Sequence, residues 1–179
     1  MTTTRIPPDF REFLKLLLDH EVRFLLIGGY AVNAFGYVRN TVDMDVWISG
    51  QDENRKRVVG AIREFGFTEA SETCLDAPDA MLRMGVPPLR IEVMRAITGV
   101  EFEDCWPRRV LMEDGDLAIP VISLEDENQQ AIDGPNQGFV GSGRATLIER
   151  FHCRSGPALG GGNCSIACAG VSALPDATR

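Results

Sequence analysis

The sequence predicts an α/β (α+β) domain, and three observations carry that prediction. Strand-like stretches alternate with stretches of helical spacing as far as about residue 126. The apolar run Phe24 to Ile27 ends in the glycine pair Gly28-Gly29. Asp43 and Asp45 then lie in a second apolar run, Asp43 to Ile48. Residues i and i+2 of a strand point to one face, so both carboxylates converge while Met44 and Val46 face away. Two hard anionic ligands beside a glycine turn suit Mg²⁺ and the phosphates it carries.

The elements follow in order. Pro7-Pro8 opens a helix over Asp9 to His20, with Phe10, Phe13, Leu14, Leu17 and Leu18 at helical spacing. Arg23 to Ile27 reads as a buried strand and Ala31 to Tyr37 as a short helix. Asp52 to Phe65 is an amphipathic helix stopped by Gly66. A strand over Ala80 to Met84 meets the turn Gly85-Val86-Pro87-Pro88, and Leu89 to Met94 alternates as the next strand, carrying Glu92. Phe102 to Trp106 is expected to be helical. Arg109 to Met112 and Leu117 to Ile122 form a hairpin around Glu113-Asp114-Gly115-Asp116. Ser123 caps a last helix, with Asp126 three residues on.

At 179 residues the chain is long enough for one domain with its own core, and 44% hydrophobic with 25% charged residues is ordinary for a globular protein. No apolar run approaches the roughly 20 residues of a bilayer span, and MTTTRIPPDF lacks the apolar centre of a signal peptide. The expected location is therefore cytoplasmic, with no membrane partner and reduced cysteines. A net charge of −8 argues against extended nucleic-acid binding but leaves room for a nucleotide or one RNA end. Cys74, Cys105, Cys153, Cys164 and Cys168 form no C-x-x-C pair, which speaks for ordinary thiols rather than zinc.

Taken together, Gly28-Gly29, Arg39-x-Thr41-x-Asp43-x-Asp45 and the run Gly85-x-Pro87-Pro88-x-Arg90-Ile91-Glu92 resemble the minimal nucleotidyltransferases of the polymerase-β superfamily. The likeness is greatest to the bacterial branch of abortive-infection and toxin–antitoxin nucleotidyltransferases. Thr98-Gly99-Val100-x-Phe102-x-x-x-Trp106-x-x-Arg109 and Ile119 to Asp126 extend it over residues 5 to 126. The resemblance implies a mixed central sheet flanked by helices over residues 1–132, and transfer of a nucleotidyl group from an NTP to an acceptor hydroxyl on a protein or RNA end. It further implies that Gly28 and Gly29 form the turn against which the triphosphate lies. Asp43, Asp45 and Glu92 would be the catalytic carboxylates that bind Mg²⁺ or Mn²⁺, and Arg39 and Thr41 would touch the nucleotide. Such two-metal sites clamp the attacking and leaving oxygens of an in-line displacement.

Plainer readings exist for each piece. D-x-D also occurs on solvated strand edges, a glycine pair is often only a tight turn, and Glu92 could be an exposed strand residue. Arg90 reads as a surface or ion-pair residue, Phe102 and Trp106 as core, and His20 and His152 as structural or exposed. A metal nuclease built on Asp, Asp and Glu is a further reading, against which the glycine turn speaks.

Two departures from the family stand out. The third carboxylate is Glu92, where the family often has Asp. Relatives carry lysines and a Gly-Arg-x-x-Asp-like segment after the Ser-Leu-Glu-Asp match, whereas the two lysines here, Lys15 and Lys56, lie far upstream. A catalytically silent nucleotidyltransferase-fold module of a toxin–antitoxin system, with a partner protein or a second copy, is the reading this departure favours. Glu127 to Gly138 back-translates, within codon degeneracy, so that the +1 frame reads KTSKRSTGRTKD. Residues after about 127 are accordingly expected to be a frameshift product, and the Gly- and Cys-rich 133–179 segment a poorly ordered tail.

Overall fold

The structure, a computed structural model, describes residues 6–37, 40–86, 89–133 and 163–166. Helix α1 (Pro8–Asp19) starts on a proline, where a missing N–H is cheapest, and buries Phe10, Phe13, Leu14 and Leu17. Strand β1 (Phe24–Ile27) is buried at all four positions and runs directly into α2 (Gly28–Ala34). Then come β2 (Asp43–Ile48), α3 (Asp52–Glu64), β3 (Met81–Val86) and β4 (Leu89–Met94). The short α4 (Phe102–Cys105), the hairpin β5 (Val110–Asp114) and β6 (Leu117–Val121), and α5 (Leu124–Asp133) complete the body. A last strand, β7 (Asn163–Ile166), pairs with the edge of β3.

The sheet is mixed, in the order β5-β6-β1-β2-β4-β3-β7. Strand β2 lies at its centre, antiparallel to β1 and parallel to β4. This is the mixed α/β architecture expected from the sequence. One face of the sheet presents Phe24, Leu26, Met44, Val46, Ile48, Leu82, Met84, Ile91 and Val93, all buried. Phe10 of α1 lines a small cavity together with Phe65, Phe67, Met84 and Ile91, which places α1 and the end of α3 on that face. Burial of so many large apolar groups, at about 1.5–3 kcal/mol each, is what fixes strand register, because a one-residue slip would turn them outward.

On the opposite face Trp47 meets Phe102 edge to face, with ring centroids 5.1 Å apart, and Phe102 stacks on Trp106. Phe102 and Trp106 therefore pack as structure, in line with their reading as core. Asn54 of α3 is buried: it accepts from the Arg23 N–H at 2.7 Å and donates to the carbonyls of Arg23 and Ser49, both at 3.0 Å. It ties α3 to the ends of β1 and β2.

Several boundaries move. Helix α2 begins at Gly28, three residues before the expected start, and ends at Ala34 before the Phe35-Gly36 turn. Strand β3 runs on to Val86, so the β3–β4 hairpin is tighter than the expected four-residue turn. The expected C-terminal hairpin pairs Asp114 with Leu117, closing on Gly115 and Asp116. The Ser123 hydroxyl accepts from the Asp126 N–H at 3.2 Å, as its capping role requires. The expected tail lies mostly outside the described residues; Asp133 ends α5, and Asn163–Ile166 form β7, which the aperiodic composition did not announce. Among the described residues, no helix is long and apolar enough to cross a membrane.

Candidate active site

Strand register brings the sequence-predicted carboxylates together. Asp45 of β2 pairs across to Glu92 of β4, and Asp43 to Arg90. On the far side of β4, Glu92 lies opposite Arg83 of β3 and Arg90 opposite Gly85. On the near side Asp45 lies opposite Ile27, the last residue of β1, so Gly28 follows immediately beside it. Registered residues share a face, and neighbouring strands are about 4.8 Å apart. The outcome is a short row, Asp45–Glu92–Arg83, flanked by a second row containing Asp43 and Arg90.

The glycine pair is shaped by this row. Gly28 has φ +68°, and a Cβ there would lie 2.5 Å from Asp45 Oδ2. A Cβ on Gly29 would lie 2.6 Å from the Cβ of Thr41, whose hydroxyl donates to the Asp43 carbonyl at 3.0 Å. The turn is therefore glycine-only for two reasons, backbone conformation and the close approach of β2 and the segment before it. The Gly28 N–H donates to Glu127 Oε1 of α5 at 3.1 Å, which brings the last helix against the turn.

Charge on this face is only partly balanced. Arg90 Nη2 donates to Asp43 Oδ2 at 2.6 Å, and Arg90 Nε lies 3.2 Å from Glu92 Oε1. Arg83 Nε donates to the same Glu92 oxygen at 2.9 Å. Asp45 makes no ion pair among the described residues. Burial, then repulsion from Glu92 and Asp43, pushes its carboxyl up to about 7, against the pull of Arg90. Burial and the Asp43 charge likewise raise the Tyr30 phenol.

Carboxylate oxygens crowded on one face, with one of them starved of positive charge, fit a hard divalent cation. Asp43, Asp45 and Glu92 are the residues that could hold it. As they stand, no three His, Cys, Asp or Glu side chains among the described residues form a ready ligand cluster. The arginines occupy two of the three carboxylates.

No family model and no curated sequence matches the chain. In three dimensions it is similar to a protein from Thermotoga maritima, of known crystal structure and described as a candidate nucleotidyltransferase. The TM-score is 0.52 over 74% of this chain and 89% of that one, at 16% sequence identity.

The chain has a nucleotidyltransferase-like fold.

Within that fold, Gly28, Asp43, Asp45 and Glu92 share one site, and Thr41 stands against Gly29. Arg39 lies outside the described residues. Sequence reading missed Arg83 and Glu127 as members of the site. Arg83 carried a usable signal: pairing Val86 with Leu89 across the two prolines sets Arg83 opposite Glu92. Ending the strand at Met84 hid that register. Arg90, read as an ion-pair residue, is one, and its partners are the site carboxylates themselves.

Proposed function

We propose that this site binds an NTP with Mg²⁺ or Mn²⁺ and transfers its nucleotidyl group to a hydroxyl of an acceptor, a protein or an RNA end. The observation that carries the reading is the register placing Asp45 between Gly28 and Glu92, with Asp43 two residues away on the same face. The family resemblance and the fold support it. Asp43, Asp45 and Glu92 hold the metal, which when bound neutralises phosphate charge and aligns the reacting oxygens. Gly28 and Gly29 let the triphosphate lie close to the backbone, with Thr41 beside it.

In the transfer, an acceptor oxygen forms a bond to the α-phosphorus as the bond to the β-phosphate bridging oxygen breaks, and pyrophosphate leaves. Both arginines contact Oε1 of Glu92, which leaves Oε2 either to complete the metal site or to take the acceptor proton. Arg83 and Arg90 supply the positive charge of the site, a role that the absent downstream lysines leave open.

The second reading is a silent binding module of a toxin–antitoxin type system. Helix α5 favours it: Glu125, Asp126 and Glu127 fill its first turn and its last turn has no basic residue. Isothermal titration with Mg²⁺ and each NTP, followed by addition of cell extract as the source of acceptor and analysis of the nucleotide, separates the two. Binding with release of pyrophosphate supports the enzyme. Binding with the nucleotide returned intact supports the module, and no binding in any combination overturns both.

A further inference from the structure

Arg90 stands where a metal ion would have to act. Its guanidinium spans Asp43 and Glu92, two of the three carboxylates on the face. The fit is incomplete: Nε is buried and lies 3.2 Å from Glu92 Oε1 without forming a hydrogen bond. The side chain is also not walled in. It remains 35% exposed, and its register partner on β3 is Gly85, which has no side chain to hold it.

We propose that Arg90 is an internal counter-cation that yields its carboxylates to a divalent metal and turns to the triphosphate, so that metal and nucleotide load together. The proposal rests on the nucleotidyltransferase reading of the site. A lone divalent cation must compete with the guanidinium for the same oxygens, and then leaves it as an unpaired positive charge beside a cation. Phosphate oxygens arriving with the metal give the guanidinium a planar, bidentate anionic partner in exchange. Coupling of this kind is reciprocal, so the nucleotide tightens the metal as much as the metal tightens the nucleotide. Arg83, whose ion pair among the described residues is with Glu92, remains in place and keeps that carboxylate oriented.

The test measures two affinities in the full chain: Mn²⁺ alone, by electron paramagnetic resonance of free Mn²⁺, and the Mn²⁺ complexes of labelled ATP, GTP, CTP and UTP, by equilibrium dialysis. Arg90→Gln is expected to tighten lone Mn²⁺ about tenfold and to weaken the preferred Mn²⁺–NTP complex about tenfold, in the range typical of site coupling. A residue that only supports the fold cannot move the two in opposite directions. Arg90→Lys keeps the charge and serves if the glutamine variant does not fold. It is expected to leave lone Mn²⁺ binding weak and still to loosen the complex. Lone Mn²⁺ affinity that fails to rise in Arg90→Gln, or complex affinity unchanged in either variant, overturns the proposal. A wild-type chain that binds neither Mn²⁺ nor any complex overturns the site reading beneath it.

Discussion

Asp45 packs its carboxylate against the backbone of Gly28 so closely that a Cβ on the glycine would sit 2.5 Å from Oδ2. Gly28→Ala therefore meets both a left-handed φ of +68° and a collision. Gly36 has a similar φ, +88°, with nothing within 4 Å of a would-be Cβ. Gly36→Ala should cost about 1–2 kcal/mol of stability from φ strain alone, and Gly28→Ala more, as read by urea denaturation. Only Gly28→Ala should weaken Mn²⁺–NTP binding. Equal losses in the two variants would show that Asp45 yields freely.

The raised Asp45 carboxyl predicts a pH dependence. Its folded value, about 7, lies above the ordinary 3.8, so the folded chain binds more protons between these limits. Metal-free stability should therefore fall as pH rises from about 4 to above 7, by at most roughly 1.4 kcal/mol for each step of one in pH. Asp45→Asn should be more stable than wild type at pH 8 and similar at pH 4, measured by thermal unfolding in chelator. A variant that is less stable at pH 8 would contradict this account of the site.

Arg95, three residues beyond Glu92, has a purely structural task. It donates to the carbonyls of Leu75 and Ala77 at 3.0 and 2.9 Å and to that of Gly50 at 3.1 Å. It thus pins the loop before β3 to the end of β2. Arg95→Ala should cost about 1–3 kcal/mol, since those carbonyls lose a charged donor, and speed hydrogen exchange in that loop. Mn²⁺–NTP affinity should not change, which separates damage to the fold from damage to the site.

Much of this was legible in the residues, for identifiable reasons. Strand β2 came out with its expected ends because alternating burial of Met44, Val46 and Ile48 against Asp43 and Asp45 admits one period only. Strand β4 did likewise. Arg83 was lost because its place depends on a hairpin register, a relation between strands rather than within one. Glu127 meets Gly28 99 positions away, and Asn54 meets Arg23 31 positions away. Neither contact has a local signature. Strand β7 is short, lies at a sheet edge and is placed by pairing with β3, so its own composition says little.

Asp126 offers a second titration of opposite sign. Burial works to raise its carboxyl, but hydrogen bonds from Arg108 and Ser123 outweigh burial and hold it below the ordinary value. Its contribution is present above the unfolded carboxylate range and is lost as pH falls through the folded value. Arg108→Ala should move acid unfolding to higher pH. Because the Arg108 side chain is 51% exposed, solvent screening should keep the loss at neutral pH small. An unchanged acid transition would count against this pairing.

Metal-dependent nucleotidyl transfer at Asp43, Asp45 and Glu92 is tested most directly by incubating the chain with α-labelled NTPs, Mg²⁺ and cell extract. Asp43→Asn and Asp45→Asn variants, shown to be folded, are run beside it. Label should pass from one of the NTPs to a protein or RNA acceptor with the wild type, vanish in chelator and vanish in both variants. Undiminished labelling by either variant would contradict the account.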